Sequence, residues 1–317
     1  MTNAIQKMKD NLLNENHPLY EKIKKEKPIW WRLINSDRDL YVEIRKENII
    51  DAYFRGGRVA QISLKNDNFV ATAHPLYIKD KVSRDDPEYF KISKSKNKNG
   101  EDIIIHNVIY QDCLKLISNR GSLAKMKERI KKYYAIEDKG DIEKTSEKLI
   151  QGKLIVDNRN IYLDSEFAYK FLAKPRSRKT IRFDLVQIKD NKLFFVELKR
   201  FWDYRMRTSK GEPEILEQMQ NYIDFIKENG IELCDYYKTL YKIKVKLGLP
   251  VPQVDDIERL SINLMPQLLI AIFYDASKHG ENAKQDRINY INDKLKTINI
   301  VPQYIDDKLE HIPHTAI

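Results

Sequence analysis

The stretch Ile181–Arg200, IRFDLVQIKDNKLFFVELKR, decides how this chain folds. It contains two runs rich in Ile, Val, Phe and Leu, Ile181–Ile188 and Lys192–Phe201. They are separated by Lys189-Asp190-Asn191, a combination of polar residues that is typical of a tight turn. Apolar runs of this length on either side of a turn are typical of strands. The sequence therefore predicts a largely buried antiparallel hairpin.

Each predicted strand carries an acidic residue inside its apolar run: Asp184 in the first and Glu197 in the second. Residues two apart in a strand point to the same face, so Glu197 shares a face with Lys199. An in-register pairing brings Asp184 alongside them. Burying such groups is costly unless they are paired or bind a metal ion. The hairpin therefore carries a candidate functional site.

Length and cysteine content limit the class of protein. The 317 residues suffice for one large domain or two ordinary ones. Cys113 and Cys234 are the only cysteines, too few for a disulfide framework or a cysteine zinc site. No apolar run approaches the ~20 residues of a membrane span, and the N-terminus lacks a signal-peptide pattern. We expect a cytoplasmic protein without membrane contact.

The formal net charge of +10 favours an anionic partner. Basic residues bracket the acidic strands in sequence, where they form either a solvated surface or phosphate contacts. Their position beside a candidate site favours phosphate contacts. The predicted nucleic-acid-binding residues are Arg176, Arg178, Lys179, Arg182 and Arg200.

Residues 1–105 are predicted to form a smaller β-rich domain that serves target recognition, oligomerisation or partner binding, including a homodimer or a partner protein. Its aromatic residues either stack on bases or form the core of its sheet. Residues 80–103 are polar and loop-like and are predicted as an interdomain region or a mobile loop. Residues 106–140 are predicted as a helical connector with a helix over Asn107–Tyr134. The predicted strands are Leu40–Arg45, Ile49–Arg55, Val59–Leu64 and Asn68–Ala73.

Residues 141–317 are predicted to form a second, α/β domain. Its predicted helices are Asp141–Gln151 (with Asp141 as the N-cap), Glu214–Asn229 and Glu281–Lys296. Its further strands are Lys153–Val156, Ile161–Leu163, Leu268–Tyr274 and Ile298–Tyr304. Residues 231–266 are predicted as a long insertion, and the stretch from His311 onward as a tail.

The second domain resembles the PD-(D/E)xK nuclease superfamily. The matching residues are Asp184 in RFDL, Glu197 and Lys199 in FFVELK, and Gln218 and Tyr222 in EQMQNY. The last pair resembles the Gln-x-x-x-Tyr element of RecB-like members. The resemblance covers residues 141–304, about half the chain, and implies a restriction-endonuclease-like mixed sheet flanked by helices. Phe183 stands where the pattern often has proline.

The resemblance implies a Mg²⁺ site, with Mn²⁺ able to substitute. Asp184, Glu197 and the backbone carbonyl of Leu198 would be its ligands, which suits the preference of Mg²⁺ for oxygen. Lys199 would position the attacking water. A further upstream glutamate usually completes such sites, and Glu166 is the first choice with Glu147 the second.

On the following helix, the resemblance implies that Gln218 orients Lys199 or the water. Tyr222 would contact the scissile phosphate or buttress the helix, and core packing is the alternative for this residue. The six histidines show no spacing such as HxxxH, which disfavours a zinc hydrolase.

The expected function is that of a Mg²⁺-dependent nuclease acting on DNA, with RNA as an alternative substrate. Such domains commonly serve restriction, repair or anti-phage defence. Two other interpretations stay open. One is a catalytically silent nucleic-acid-binding or assembly protein on the same fold, and the other is a Holliday-junction resolvase, which would require a homodimer.

Overall fold

The structure, a computed structural model, describes residues 13–96, 101–134, 145–174, 177–208 and 211–313, without the side chains of residues 170–179 and 281. These residues form a mixed α/β protein. The helices are α1 (Pro18–Glu26), α2 (Ile29–Ser36), α3 (Pro75–Ile78), α4 (Leu114–Ile117), α5 (Arg120–Tyr133), α6 (Glu147–Asp157), α7 (Glu214–Glu228), α8 (Gly230–Lys246), α9 (Ala276–His279) and α10 (Glu281–Lys296). The strands are β1 (Leu40–Arg45), β2 (Ile49–Phe54), β3 (Gly57–Lys65), β4 (Asn68–Ala73), β5 (Phe90–Lys96), β6 (Asp102–Val108), β7 (Gln111–Asp112), β8 (Tyr162–Lys174), β9 (Ser177–Lys189), β10 (Lys192–Arg200), β11 (Ser261–Ile262), β12 (Gln267–Ala271), β13 (Gln303–Ile305) and β14 (His311–Ile312).

The chain divides into two compact units. One is Asn16–Ala135, and the other combines Met1–Glu15 with Ile136–Ile317. Residues 106–135 of the predicted helical connector (106–140) thus belong to the first unit. Within the described ranges, no helix is both long and apolar enough to cross a membrane.

The first unit contains a five-stranded antiparallel sheet in the order β1-β2-β3-β4-β7. The four strands predicted between residues 40 and 73 are confirmed, because each shows clear alternation between turn residues. Trp30 and Trp31 lie in α2, where both indoles are buried. Their rings pack edge-to-face with 5.9 Å between the centroids, so these residues contribute to the core of the unit.

Two predictions for the first unit are wrong. The stretch predicted as a loop over residues 80–103 contains β5 and the start of β6, which pair as a separate two-stranded hairpin. The predicted helix over Asn107–Tyr134 begins instead at α4 and continues as α5, after β7. The many lysines and asparagines of residues 91–99 hid the period-two pattern, because polar residues on both faces of an exposed hairpin resemble a loop.

The second unit is built on a seven-stranded mixed sheet in the order β14-β13-β12-β10-β9-β8, with β11 also pairing with β10. Strands β8, β9 and β10 are antiparallel neighbours, whereas β10, β12 and β13 run parallel. The β9–β10 hairpin is confirmed. Its turn residues Asp190 and Asn191 have φ angles of 51° and 55°, and this left-handed pair matches the twist of a two-residue hairpin.

The core of this sheet positions the candidate site. Phe183 on β9 packs against Phe195 on β10 at 4.4 Å between ring centroids and against Tyr222 on α7 at 4.8 Å. Helix α7 buries the apolar stripe predicted for it, including Ile215 and Met219, so its polar face is presented in one orientation. The predicted helices over 214–229 and 281–296 are both confirmed.

Other elements of the second unit differ from prediction. Residues 153–156, predicted as a strand, complete α6, whose N-cap is Ser146. The predicted N-cap Asp141 lies outside the described residues. A short run such as Leu-Ile-Val fits a buried helix as well as a strand, and burial of Leu149, Ile150, Leu154 and Ile155 decided for the helix. Helix α8 covers residues 231–246 of the predicted insertion, the predicted strand 298–304 is the shorter β13, and the predicted tail contributes β14.

Candidate active site

The site lies where the backbone ladder between β9 and β10 ends. The two strands pair from Lys192 and Lys189 to Val196 and Leu185. One step further, a carboxylate replaces the backbone partner, because Asp184 Oδ2 accepts a hydrogen bond from the Leu198 amide at 2.9 Å. The ladder thus continues through a side chain, which brings the Asp184 carboxylate beside the acidic residue of β10.

Backbone oxygens of β9 at this point are bonded to side chains from two helices. Gln151 on α6 donates to the carbonyl of Asp184, and Tyr222 on α7 contacts the carbonyl of Arg182. Buried backbone oxygens need partners, and here side chains supply them in place of a neighbouring strand. The helices therefore fix the position of Asp184 relative to the sheet.

Glu197 and Lys199 share one face of β10, as predicted from their spacing. Both are almost fully buried, at 2% and 1% exposure. Lys199 Nζ donates to Glu197 Oε1 and, at 3.0 Å, to the Leu198 carbonyl. The buried ammonium is thus bonded to two of the oxygen atoms that the resemblance assigns to a metal ion.

Side chains on the polar face of α7 complete the hydrogen bonding of Glu197. Gln218 Nε2 donates to Glu197 Oε1 at 2.6 Å and to the Tyr222 hydroxyl at 2.8 Å. That hydroxyl lies 2.9 Å from Glu197 Oε2 as well as beside the β9 carbonyl, and its single proton can serve one of these acceptors at a time. Burial, followed by the Glu197 charge, raises the pKa of Tyr222, so the phenol stays protonated.

Two carboxyls of the site, Asp184 and Glu147, have raised pKa values. Burial first, and then the charge of Glu197, raise the pKa of Asp184 well above its usual range, while Lys199 opposes the shift. Burial also raises the pKa of Glu147, where Glu197 adds to the shift and Lys199 opposes it. Glu147, Asp184 and Glu197 therefore form one electrostatically coupled group around a single ammonium.

The structure distinguishes between the two upstream glutamates. Glu147, in the first turn of α6, is coupled to Asp184, Glu197 and Lys199. Glu166 on β8 has a φ angle of 51°, and its Oε1 atom forms an ion pair with Lys148 Nζ at 3.6 Å. Both line the same cavity, but the electrostatic coupling favours Glu147, the second choice from sequence, over Glu166.

A fixed arginine lies at the edge of this group. Arg205 donates to Asp203 through Nε at 2.9 Å and through Nη2 at 2.6 Å, and Nη2 also lies 4.0 Å from Glu147 Oε2. Burial alone would raise the pKa of Asp203, but the hydrogen bonds and charge of Arg205 lower it, so both partners stay ionised. The bidentate contact holds the guanidinium in one plane.

These residues open into one cavity of ≈ 680 Å³. All six residues predicted as catalytic line it, together with Glu147, Gln151, Arg182 and Arg205: the six are Glu166, Asp184, Glu197, Lys199, Gln218 and Tyr222. Arg182 is exposed at the cavity, whereas Arg200 is half-buried and is not part of the lining. Arg176 lies outside the described residues, as do the side chains of Arg178 and Lys179.

The donor set can be tested for a divalent cation. Among the described residues no group of three or more His, Cys, Asp or Glu side chains is placed to share one ion. The two carboxylates and one carbonyl of the proposed set are nevertheless all hard oxygen donors, which Mg²⁺ prefers. When all four acids of this group, Glu147, Asp184, Glu197 and Asp203, are ionised, they exceed the two cations, Lys199 and Arg205, by two negative charges. One divalent cation would neutralise them, and in donor type and charge the residues fit.

Comparison of the chain with protein-family models, with curated proteins and with solved structures finds no match. The functional argument therefore depends on the geometry of the site. Sequence reasoning overlooked Gln151 and the Asp203–Arg205 pair as parts of it. Arg205 was visible as one of several basic residues after β10, but its bidentate contact with Asp203 across one residue had no sequence signal.

Proposed function

We propose that this protein is a metal-dependent nuclease that hydrolyses phosphodiester bonds in DNA, on a restriction-endonuclease-like fold. One observation carries the proposal: Asp184 and Glu197 meet beside the buried Lys199 at the end of the β9–β10 ladder, within one cavity. The order of three antiparallel strands followed by parallel β12, with α6 and α7 contributing to the cavity, agrees with that fold.

Asp184, Glu197 and the Leu198 carbonyl would hold Mg²⁺ or Mn²⁺, which when bound would acidify a water and neutralise charge on the phosphoryl oxygens. The residues themselves are organised for this before any ion arrives. Asp184 uses one oxygen on the Leu198 amide, which leaves its other oxygen for a ligand. Glu197 is oriented through both of its oxygens by α7.

Lys199 is the residue that would orient the attacking water. Its ammonium has three donors, two of which contact Glu197 and the Leu198 carbonyl. The third donor is available for a water oxygen or a non-bridging phosphate oxygen. An ammonium fixed at this position can stabilise negative charge as it develops on the phosphate.

Arg205 and Arg182 would bind the phosphate backbone of the substrate on the rim of the cavity. Arg205 is fixed by Asp203 through one edge of its guanidinium, so its remaining N–H groups keep a defined direction. Arg182 is exposed where β9 enters the site. Arg176, Arg178 and Lys179 would extend this contact, as the sequence predicts. The expected consequence is an affinity for DNA that falls steeply with salt.

A specific observation favours a second candidate, a nucleic-acid-binding protein without catalysis. Lys199 itself bonds the Glu197 carboxylate and the Leu198 carbonyl, which is the arrangement expected if the ammonium permanently replaces the cation. In that case Mg²⁺ would have no effect on the protein. A Holliday-junction resolvase is a special case of the nuclease and would cut branched duplexes in preference to linear ones.

The deciding experiment measures cleavage of linear duplex, closed-circular duplex, branched duplex, single-stranded DNA and RNA with Mg²⁺, Mn²⁺ or EDTA. We expect metal-dependent cleavage of DNA that Asp184→Asn and Lys199→Ala both abolish, and retained cleavage by Lys192→Ala, an exposed lysine at the start of the same strand. DNA binding without cleavage under every condition would favour the silent binder. Cleavage that survives both substitutions would overturn the assignment of the site.

The free thiols Cys113 and Cys234 agree with a reducing compartment, and we place the protein in the cytoplasm on that basis. Restriction, repair and anti-phage defence are the processes in which such an activity would serve.

A further inference from the structure

The β5–β6 hairpin exposes apolar residues that a protein surface normally avoids. Ile103, Ile104 and Ile105 follow one another on β6, with 40%, 63% and 37% of their surface exposed. In the part of the chain that the structure describes, β6 pairs only with β5. An exposed strand edge with three β-branched residues readily pairs with another strand.

The two edges of this hairpin differ. Strand β5 carries Lys91, Lys94 and Lys96, all exposed, and lysine along an edge discourages pairing with a second strand. Strand β6 has no lysine between Asp102 and Val108. Only β6 is therefore suited to accept a partner strand.

The unused hydrogen-bonding groups of β6 can be assigned from the ladder. The Ile109 amide donates to the Tyr89 carbonyl at 2.8 Å, which makes these two a hydrogen-bonded pair of the antiparallel ladder. Because such pairs alternate, odd-numbered residues of β6 direct their N–H and C=O toward β5. The N–H and C=O of Ile104 point outward, together with those of Asp102 and His106.

The sequence of this edge is complementary to itself. An antiparallel copy centred on Ile104 places Ile104 opposite Ile104, Ile103 opposite Ile105, and Asp102 opposite His106. The outward-pointing groups of Asp102, Ile104 and His106 then meet their own counterparts in hydrogen-bonded pairs. We propose that the protein forms a two-fold homodimer through β6, in which the two β5–β6 hairpins join into one four-stranded sheet. This inference does not depend on the proposed nuclease activity.

The partner is a second copy and not nucleic acid because of the chemistry along this edge. The side chains of the three isoleucines offer neither charge nor hydrogen bonds to a phosphate backbone, and Asp102 would repel it. Two-fold pairing instead covers the isoleucines of both chains and brings Asp102 toward a histidine twice, as an isologous interface requires. The interface is short, so we expect a weak dimer whose formation depends on protein concentration.

The first test is sedimentation of the full chain over a concentration series. We expect the mass to rise from that of one chain to that of two, and Ile104→Asp to remain a single chain at every concentration, because it places two carboxylates opposite each other. Ile104 is exposed and outside the candidate site, and an unchanged thermal midpoint of the variant checks its folding.

The second test locates the two-fold axis by crosslinking. In a Cys234→Ser background, Ile104→Cys is expected to form a disulfide-linked dimer, since residues opposite each other in such a pair lie ~5.5 Å apart between Cα atoms. Ile92→Cys, which is similarly exposed but on β5, is the matched control and is expected to stay monomeric under the same oxidation.

The third test exchanges the charges. Asp102→His and His106→Asp each place like side chains opposite each other and are expected to weaken the dimer, whereas the double exchange restores it. A wild-type protein that stays a single chain throughout the series, with no crosslink at residue 104, overturns the proposal. The proposal is also overturned if the protein is monomeric and Ile104→Asp reduces its affinity for DNA, since the hairpin would then be a nucleic-acid contact.

Discussion

Two hairpins of this protein contrast: β9–β10 buries charged residues, whereas β5–β6 exposes apolar ones. In β9–β10, Glu197 and Lys199 are charged residues in a buried position, whereas in β5–β6 the isoleucines around Ile104 are apolar residues in an exposed one. The buried charges are all bonded to fixed partners, which is how a protein retains them despite the cost of desolvation. The exposed isoleucines are arranged to meet an identical strand. In both hairpins the residue that is unfavourable for folding alone is the one that indicates a function.

If the buried charges of β9–β10 served folding only, catalysis would not depend on them. The largest effect expected is therefore on catalysis by Lys199→Ala, which removes the donor for the water and leaves Glu197 Oε1 with Gln218 alone. We expect the rate of DNA cleavage to fall by at least ~10²-fold. The measurement is the single-turnover rate with saturating Mg²⁺, with Lys192→Ala as the matched control. A rate within three-fold of wild type would remove Lys199 from the mechanism.

The next effect separates the two glutamates that line the cavity. Glu147→Gln removes a charge coupled to Asp184, Glu197 and Lys199 and is expected to reduce cleavage by about 10–100-fold, as loss of an outer ligand of a metal site does. Glu166→Gln is the matched comparison and is expected to have the smaller effect, because Glu166 pairs with Lys148 at the rim. Both rates should be measured across a Mg²⁺ titration. A larger loss of cleavage rate for Glu166→Gln would identify Glu166, the first choice from sequence, as the glutamate that completes the site.

A smaller effect is expected for the tyrosine of α7. Tyr222→Phe keeps the ring that packs on Phe183 but removes the hydroxyl near Glu197 Oε2. A hydrogen bond of this kind contributes ~0.5–1.5 kcal/mol, so cleavage should slow by roughly 3–10-fold. The thermal midpoint should fall as well, because the Arg182 carbonyl loses its partner. Gln220→Ala, on the exposed side of the same helix, is the control. An unchanged rate with a lowered midpoint would assign Tyr222 to core packing.

The parts of the molecule that sequence could predict are those fixed by local pattern. The β9–β10 hairpin follows from two apolar runs and an Asp-Asn turn, and α7 follows from its apolar stripe, so Gln218 and Tyr222 were placed on one face correctly. Elements with an ambiguous pattern were not predicted. The Leu-Ile-Val run at the end of α6 fits helix and strand equally, and burial against the sheet decides between them.

The composition of the site depended on contacts between residues far apart in sequence. Gln151 lies 33 residues from the Asp184 carbonyl to which it donates, and no local periodicity predicts such a bond. The coupling of Glu147 to Asp184 and Glu197 has no local signal for the same reason, since it depends on where α6 lies against the sheet. Exposure of the Ile103–Ile105 run likewise depends on β5–β6 forming its own sheet instead of joining a larger one.

The smallest effect concerns stability and tests whether the buried charges of β9–β10 are unfavourable to the fold. Asp184 has a raised pKa in the folded protein because of burial and the Glu197 charge. Its contribution to stability is therefore fully present below its unfolded pKa, near ~3.9, and is lost as the pH rises through the folded pKa. Once ionised, the carboxylate destabilises the fold. Asp184→Asn removes that charge and keeps an oxygen that can accept from the Leu198 amide.

We expect Asp184→Asn to raise the thermal midpoint by ~2 °C or more in EDTA, and by more at pH 8 than at pH 5. Asp307→Asn, an exposed aspartate on the same unit, is the control and should leave the midpoint unchanged. Addition of Mg²⁺ should then raise the midpoint of wild type but not of Asp184→Asn, since only the carboxylate would bind the ion. A lower midpoint for Asp184→Asn at both pH values would mean that this carboxylate stabilises the hairpin. Glu197 and Lys199 would then be the buried charged residues of β9–β10 that contrast with the exposed isoleucines of β5–β6.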